Sequence, residues 1–445
     1  MYTKLLGGTR RVVTPQGTAV HRTHLVGPHP ILRHFLDRIG FSRIVRACLG
    51  TPRERILDYD KSLLVLVQNI ILSPAPLYRI AEWAEPIDPD ALGLSDKEKI
   101  SLNDDRIART LDALVSARAK SLFFRLALHI IKQFELDTQR IHHDTTTVTF
   151  HGQYKSSWQE PRITHGINKD HRPDLKQLVF GLNVTADGAV PICHDVYSGN
   201  RTDDTVHRGN VDRLRQILGR DDFVYTADSK LCTRKNLGHI SDYGGLFVTV
   251  LPRTRAEDKR FRQSLRHRER VRWRKLLEIE NKRRHHDPPD IYWTSSDGPE
   301  KTVEGYRIIW LRSSQKMLID AQARETTLQK AGDDFFALNN RLNRGKLRQR
   351  ASIKSAIKKI VKKYDCQRFF DVTIVSETRI QKKRLRPGRP KKSDPIKDLR
   401  IRTFRLEVQR NKEALISESR TDGVFPLVTN LQPRDKSKKE ILLIY

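Results

Sequence analysis

Residues 140–152, RIHHDTTTVTFHG, do most to limit what this chain can become. Apolar or β-branched residues alternate with polar ones from Ile141 to Phe150, the period of a strand, and Asp144 is set into it beside His142, His143 and three threonines. A carboxylate in mid-strand is costly to bury unless something pairs with it, and one suitable partner is a divalent cation. The alternation puts His142 on the face of Asp144 and His143 on the opposite face. His142 is therefore the candidate to support a metal or phosphate through the acid, the alternative for either histidine being a packing or hydrogen-bonding role.

The elements that follow supply a second acid. Residues 178–185 alternate as a strand, Ala186, Asp187, Gly188 and Ala189 form a hairpin turn, and 190–197 run back as another strand. A helix over 205–218 carries Val211, Leu214, Ile217 and Leu218 on one face. A short apolar strand over 223–227 ends on Asp228, and a helix near 234–240 leads to a strand over 246–250. The order βββαβαβ puts Asp144 on the first strand and Asp228 at the end of the fourth, and in a mixed sheet those strands can be neighbours. Two carboxylates at one sheet edge can hold one or two Mg²⁺ or Mn²⁺ ions; a pair of ions about 3.5–4 Å apart stabilises both the attacking and the leaving oxygen of a phosphodiester displacement. Spacing alone also fits two ordinary turn or capping residues.

The charge balance favours a polyanionic partner. A formal net charge of +31 arises from 84 Lys+Arg against 53 Asp+Glu, spread along 445 residues and not confined to one cluster, which points to nucleic acid. A chain of this length should split into roughly two to four domains. Cys48, Cys193, Cys232 and Cys366 are far apart and form no C-x-x-C pair, so free thiols in a reducing cytoplasm are expected, with neither zinc ribbon nor disulfide frame. No basic segment followed by an apolar core opens the chain, and the most apolar run, 63–72, is short and interrupted by Gln68 and Asn69. A soluble protein with no membrane partner is expected.

Around the strand-rich centre the texture differs. Residues 1–29 read as an N-terminal arm or ribbon. From Pro30 the pattern is helical: Ile31, Leu32, Phe35, Leu36 and Ile39 recur at spacings of three and four, 61–72 is apolar on most faces, and Asn103-Asp104-Asp105 caps a further helix. Residues 30–137 are therefore expected to be an all-α domain and 138–250 the α/β core. Residues 251–421 read as a basic insertion with its own strands and helices, and 422–445 as a return to the core. Within the insertion, 253–284 hold fourteen Lys/Arg against five Asp/Glu, with Val271, Leu276 and Ile279 compatible with a helix. Strands are expected over 306–311, 369–375 and 403–408, with helices over 320–343 and 352–363. The segment 382–392, KKRLRPGRPKK, is a Pro/Gly/Arg loop without apolar periodicity. Its Gly-Arg-Pro core resembles an AT-hook, with Pro387 where a basic residue would precede the Gly. Minor-groove insertion and a flexible basic linker both remain open for Arg386, Arg389 and Lys391.

A family resemblance joins these pieces. HHDTTTVTFHG, HGINKDHRPDLKQL at 165–178, Asp187-Gly188, Pro191, SGNRTDD at 198–204, TADSK at 226–230 and NDDRIARTLDAL at 103–114 together resemble the DDE transposases of bacterial insertion sequences. The resemblance runs from about Pro30 to Tyr445. It implies a ribonuclease-H-like mixed sheet with helices, preceded by an all-α domain and interrupted by a β-rich insertion. It implies that Asp144 and Asp228 are catalytic metal ligands, that Lys169 and Arg172 face DNA, and that the protein binds element ends and cuts and joins double-stranded DNA. A nucleoid-associated protein follows, and a homodimer is compatible with it. The family's third acid is a Glu in a Tyr-x-x-Arg-x-x-x-Glu pattern; Tyr445 fits the opening Tyr, which would put that Glu beyond this chain. The expectation is therefore of a truncated transposase, inactive alone. The alternatives are a non-catalytic DNA-binding remnant that competes with the intact enzyme, and a metal-dependent nuclease or resolvase on the same core.

Overall fold

The computed structural model describes residues 7–13, 19–52, 56–117, 119–155, 160–168, 170, 172–267, 271–280, 288–384 and 396–445. The chain divides into two compact units, Met1–Ala227 with Gly238–Leu246, and Asp228–Leu237 with Phe247–Tyr445.

The first unit begins with an antiparallel ribbon, β1 (Gly7–Val13) and β2 (Ala19–Leu25). Helices follow: α1 (His29–Arg38), α2 (Phe41–Leu49), α3 (Tyr59–Leu72), α4 (Ile80–Ala84), α5 (Pro89–Leu92), α6 (Asp96–Ile100), α7 (Asp104–Ser116) and α8 (Ala119–Gln133). Their core gathers Leu36, Ile44, Val45, Leu64, Val65 and Ile107. α3 is buried on most faces, and the polar residues that interrupt its apolar run are also buried. Gln68 is satisfied there: its Oε1 lies 2.8 Å from His29 Nδ1 and its Nε2 donates to Leu92 O at 3.0 Å, as a buried amide requires. Asn103 caps α7, accepting from Arg106 N at 2.9 Å. Only half of the α1 stripe is inside, since Ile31 and Phe35 are exposed while Leu36 is buried.

The sheet of this unit contains β3 (Arg140–Phe150), β4 (Lys176–Thr185) and β5 (Pro191–Ser198), then α9 (His207–Leu218) and β6 (Val224–Ala227), in the order β5-β4-β3-β6. β3 pairs antiparallel with β4 and parallel with β6, so the sheet is mixed and the fold α/β. The β3–β6 register ends at His143↔Ala227. The residues next in sequence are Asp144 and Asp228.

α10 (Arg234–Asp242) and β7 (Leu246–Val250) carry the chain across the division. The second unit continues with α11 (Ala256–Arg266), β8 (Arg274–Ile279), β9 (Asp290–Ser295), β10 (Arg307–Ser313), α12 (Ser314–Asn340), α13 (Arg350–Tyr364), β11 (Phe370–Arg384), β12 (Ile396–Arg410), α14 (Lys412–Ser419), β13 (Val424–Thr429) and α15 (Lys438–Ile444). Its sheet has the order β7-β13-β10-β9-β8 and is antiparallel throughout. Residues 274–279 are a strand and not part of a helix. Leu276 and Ile279 fit either period, and pairing with β9 decides. β11 and β12 form a separate antiparallel ribbon whose base packs Phe404 and Leu406 against Leu338, Leu342 and Ile353 of the α12–α13 hairpin.

Gly423 sets the entry to β13. Its φ is +77°, and a Cβ there would meet Ser313 O at 2.6 Å, so no other residue fits without moving backbone. Among the described residues no single helix is long and apolar enough to cross a membrane.

Candidate active-site carboxylates

β3 keeps its alternation: Ile141, His143 and Thr145 are buried while Asp144 and Thr146 are exposed. The Asp144 carboxylate therefore meets solvent, and its Oδ1 accepts from Thr145 N at 2.7 Å, which orients it. On the opposite face Thr145 donates through Oγ1 to Asp203 Oδ1 at 2.8 Å. His142 is half-buried, and burial first, then the Arg140 charge, lowers its pKa.

Behind β3 lies a buried polar cluster. His143 Nδ1 is 3.2 Å from both Asn183 Oδ1 and Asn210 Nδ2, the two asparagine side chains bond each other at 2.8 Å, and Asn210 Nδ2 donates to Tyr225 Oη at 2.9 Å. His207 Nδ1 sits 3.0 Å from the same hydroxyl, and its ring crosses that of His143 edge-on. Burial pushes His143 down to about 4 and His207 down to about 3, the second helped by its histidine neighbour, so both are neutral imidazoles at neutral pH. No proton shuttle to Asp144 follows from this, because the cluster faces away from it. Its effect is to fix the backbone that presents the acid.

The HGIN and SGNRTDD motifs meet in a tight crossing beside this strand. Gly199 N donates to Arg162 O at 3.0 Å, Gln177 Nε2 donates to Gly199 O at 2.7 Å, and a Cβ on Gly199 would stand 2.0 Å from Gln177 O. Here glycine is required by close backbone approach.

In the second unit Asp228 is exposed and caps a short 3₁₀ turn, Ser229–Leu231, its Oδ1 accepting from Lys230 N at 2.9 Å. Its own carbonyl accepts from Thr249 Oγ1 at 2.7 Å. Asp228 borders a cavity of about 510 Å³ shared with Asp290, Tyr292, Lys316, Phe425 and Tyr445. Asp290 is buried and closes the start of α12, accepting from Ser313 Oγ, Ser314 Oγ and Gln315 N at 2.7–3.0 Å. Burial pushes its carboxyl up, but hydrogen bonds from Gln315 N, Ser314, Tyr292 and Ser313 outweigh this and hold it below the ordinary carboxylate value. Burial and that bond to Asp290 push the Tyr292 phenol up to about 12.

The remaining expected contacts divide. Arg172 is exposed but clamped by Asp174 at 2.9 and 2.7 Å, so its charge has a local partner. Lys169, Arg386, Arg389 and Lys391 lie outside the described residues. Part of the basic run is engaged internally: Arg255 pairs with Glu257 and Glu304, Arg262 with Asp258, and Arg266 with Glu418. Glu440 is the reciprocal partner of Ser437 in a capping box at the start of α15. Hydrogen bonds from Ser437 and Lys436 bring its carboxyl down to about 2.

Sequence reasoning missed the supports. Asn183 and Asn210 are polar residues in otherwise apolar patterns, a signal that was readable, whereas Tyr225 and His207 have none beyond their burial. Asp290 carries no sequence signal that separates it from other acids of its segment.

Taken singly, the carboxylates of Asp144 and Asp228 are hard oxygen donors of the kind a cation such as Mg²⁺ takes. Among the described residues no three His, Cys, Asp or Glu side chains are gathered to hold a metal.

A family model described as a domain of unknown function, DUF4277, matches residues 22–128. A solved structure, the piggyBac transposase synaptic complex with hairpin DNA from cryo-electron microscopy, matches at 12% identity with a TM-score of 0.30, over 68% of this chain and 63% of that one. The chain thus spans under two thirds of that transposase. No curated protein matches.

Proposed function

We propose that this chain is a DNA transposase of the DDE type, from a bacterial insertion sequence, acting on double-stranded element ends and target DNA with Mg²⁺ or Mn²⁺. The observation that carries the reading is the parallel pairing of β3 with β6 up to His143↔Ala227, the residues that directly precede the two assigned acids. In this reading residues 138–250 are a ribonuclease-H-like core, 30–137 a helical domain and 251–421 an insertion. The return at 422–445 is supported by β13, which pairs with β7 at Leu427↔Val250.

Asp144 and Asp228 would hold the metal, each with one oxygen already oriented by a backbone N–H. When bound, the metal supplies Lewis-acid stabilisation of the displaced phosphodiester oxygens. The protein's part is to keep two carboxylates exposed and oriented, and to offer cationic surface to the DNA backbone. A second reading, a DNA-binding protein without catalysis, is supported by the formal net charge of +31.

The test is strand transfer by the purified chain on duplex DNA bearing the ends that flank its own gene, with Mg²⁺ or Mn²⁺. Activity that falls on the order of 10³-fold in Asp144→Asn and in Asp228→Asn, with folding unchanged, supports the enzyme. Activity untouched by either substitution sinks the assignment, and duplex binding without any cleavage establishes the second reading.

A further inference from the structure

The β11–β12 ribbon changes character halfway along. In its basal half, residues 370–377 and 403–410, two arginines stand against three acids. The side chains of Val372, Ile374, Phe404, Leu406 and Val408 there pack toward α12 and α13. In its distal half, 378–384 and 396–402, seven Lys/Arg stand against the single acid Asp398. The switch falls where the ribbon loses its apolar floor: Phe404 is buried, and Arg402, two residues on and on the same face, is exposed.

The register shows how these charges are arranged. Thr378↔Arg402, Ile380↔Arg400 and Lys382↔Asp398 share one face, and Arg379↔Ile401 and Lys383↔Lys397 share the other. Two lysines directly opposite one another destabilise a ladder. A free two-stranded ribbon is itself only marginally stable in water. Among the described residues the ribbon's hydrophobic packing lies at its base, where it does not relieve that repulsion, and an anion lying along the distal half would. Arg405 at the base, by contrast, is paired with Glu377 and Glu407. Among the described residues no carboxylate lies within ion-pair distance of Lys383, Lys397, Arg400 or Arg402.

We infer that the distal half of the β11–β12 ribbon is an arm that enters the major groove of duplex DNA and grips the phosphates on both sides. The dimensions agree: seven residue pairs extend roughly 24 Å, and a two-stranded ribbon fits the major groove of undistorted B-DNA, about 12 Å wide, whereas the minor groove of about 6 Å would have to be widened to take it. Arg400 beside the exposed Ile380 offers a guanidinium for a base edge and an apolar side chain for a thymine methyl. The inference rests on the proposed DNA partner but not on catalysis.

The test uses the full chain and a fluorescent duplex of about 30 base pairs over a salt series. Lys383→Glu/Arg400→Glu/Arg402→Glu should weaken binding by roughly 10²-fold and lower the slope of log K against log salt by about 3. The milder Arg400→Gln/Arg402→Gln, with an unchanged melting temperature, should show the same trend and exclude misfolding as its source. Methyl green, which occupies the major groove, should compete with the wild-type chain, and distamycin, which occupies the minor groove, should not.

Three results would overturn the inference: wild-type binding by the ribbon variants, competition by distamycin alone, or a changed oligomeric state in the variants with DNA binding intact. The last would assign the arm to a second copy of the chain. In the first case, a loss on replacing Lys354, Lys358, Lys359 and Lys362 of α13 would give the contact to that helix instead. A chain that binds no duplex at all fails the proposed function first, which keeps the two failures apart.

Discussion

Asp144 and Asp228 reach solvent by opposite means. Asp144 sits inside a long strand, and its position is set from behind by a buried polar cluster of two histidines, two asparagines and a tyrosine. Asp228 stands just past a short buried strand, caps a 3₁₀ turn and borders a cavity with aromatic and charged walls. The first acid is held by the rigidity of a sheet, the second by local capping and by the elements that wall its cavity. Damage at a distance should therefore reach them through different routes.

The strongest way to break this contrast is Arg262→Ala in the second unit. Arg262 donates to Asp258 Oδ2 at 2.7 Å and to Thr421 O and Val424 O at 3.0 and 2.8 Å, tying down the entry to β13, which carries the cavity residue Phe425. Its removal leaves a buried carboxylate unpaired and should cost roughly 3–5 kcal/mol. Urea unfolding would measure it, and a cost under about 1 kcal/mol would show that the pair does not hold this region.

Next in size is an acid sensitivity confined to the Asp144 side. His143 and His207 have folded pKa values below their unfolded value, so their contribution to stability is complete above about pH 6.5. It is lost as the pH falls through that value toward 4 and 3. Each should take away up to about 1.4 kcal/mol per pH unit in that window. Unfolding of the wild type should therefore ease steeply from pH 7 to pH 5. His143→Gln/His207→Gln should be weaker at neutral pH but flatter in its pH profile, and equal slopes would remove the histidines from the account.

The smallest effect expected is from Tyr292→Phe, which deletes one hydrogen bond to Asp290 and should lower stability by about 1 kcal/mol. In a thermal melt no change would mean that the Ser313, Ser314 and Gln315 contacts alone hold the start of α12.

Much of the fold was readable because its signals are periodic. The βββαβαβ order, the Asn103 cap and the β3 alternation follow from spacing and short turns, whereas the adjacency of β3 and β6 was only one arrangement that order allows. β8 and β9 were not readable, because a six-residue strand with charged flanks has too few positions to separate one period from another. The length of β11 and β12 was also hidden, since their distal residues are cationic and carry no burial pattern. At the site the acids stood out as polar residues in apolar strands. The Asn183–Asn210–Tyr225 network did not, because its members come together only when α9 is laid against the sheet.

The crossing of Gly166 and Gly199 bears on how the first unit is made. A Cβ on Gly166 would lie 2.0 Å from Gly199 O, and Gln177 bonds both Ile167 O and Gly199 O. The segment around residues 162–167 thus cannot settle until residue 199 has left the ribosome. It is pinned through its own Arg162 O and both backbone groups of Thr164, which bond Gly199 N and the backbone of Gln177. This corner should be a late event in folding and, once closed, among the slowest amides to exchange.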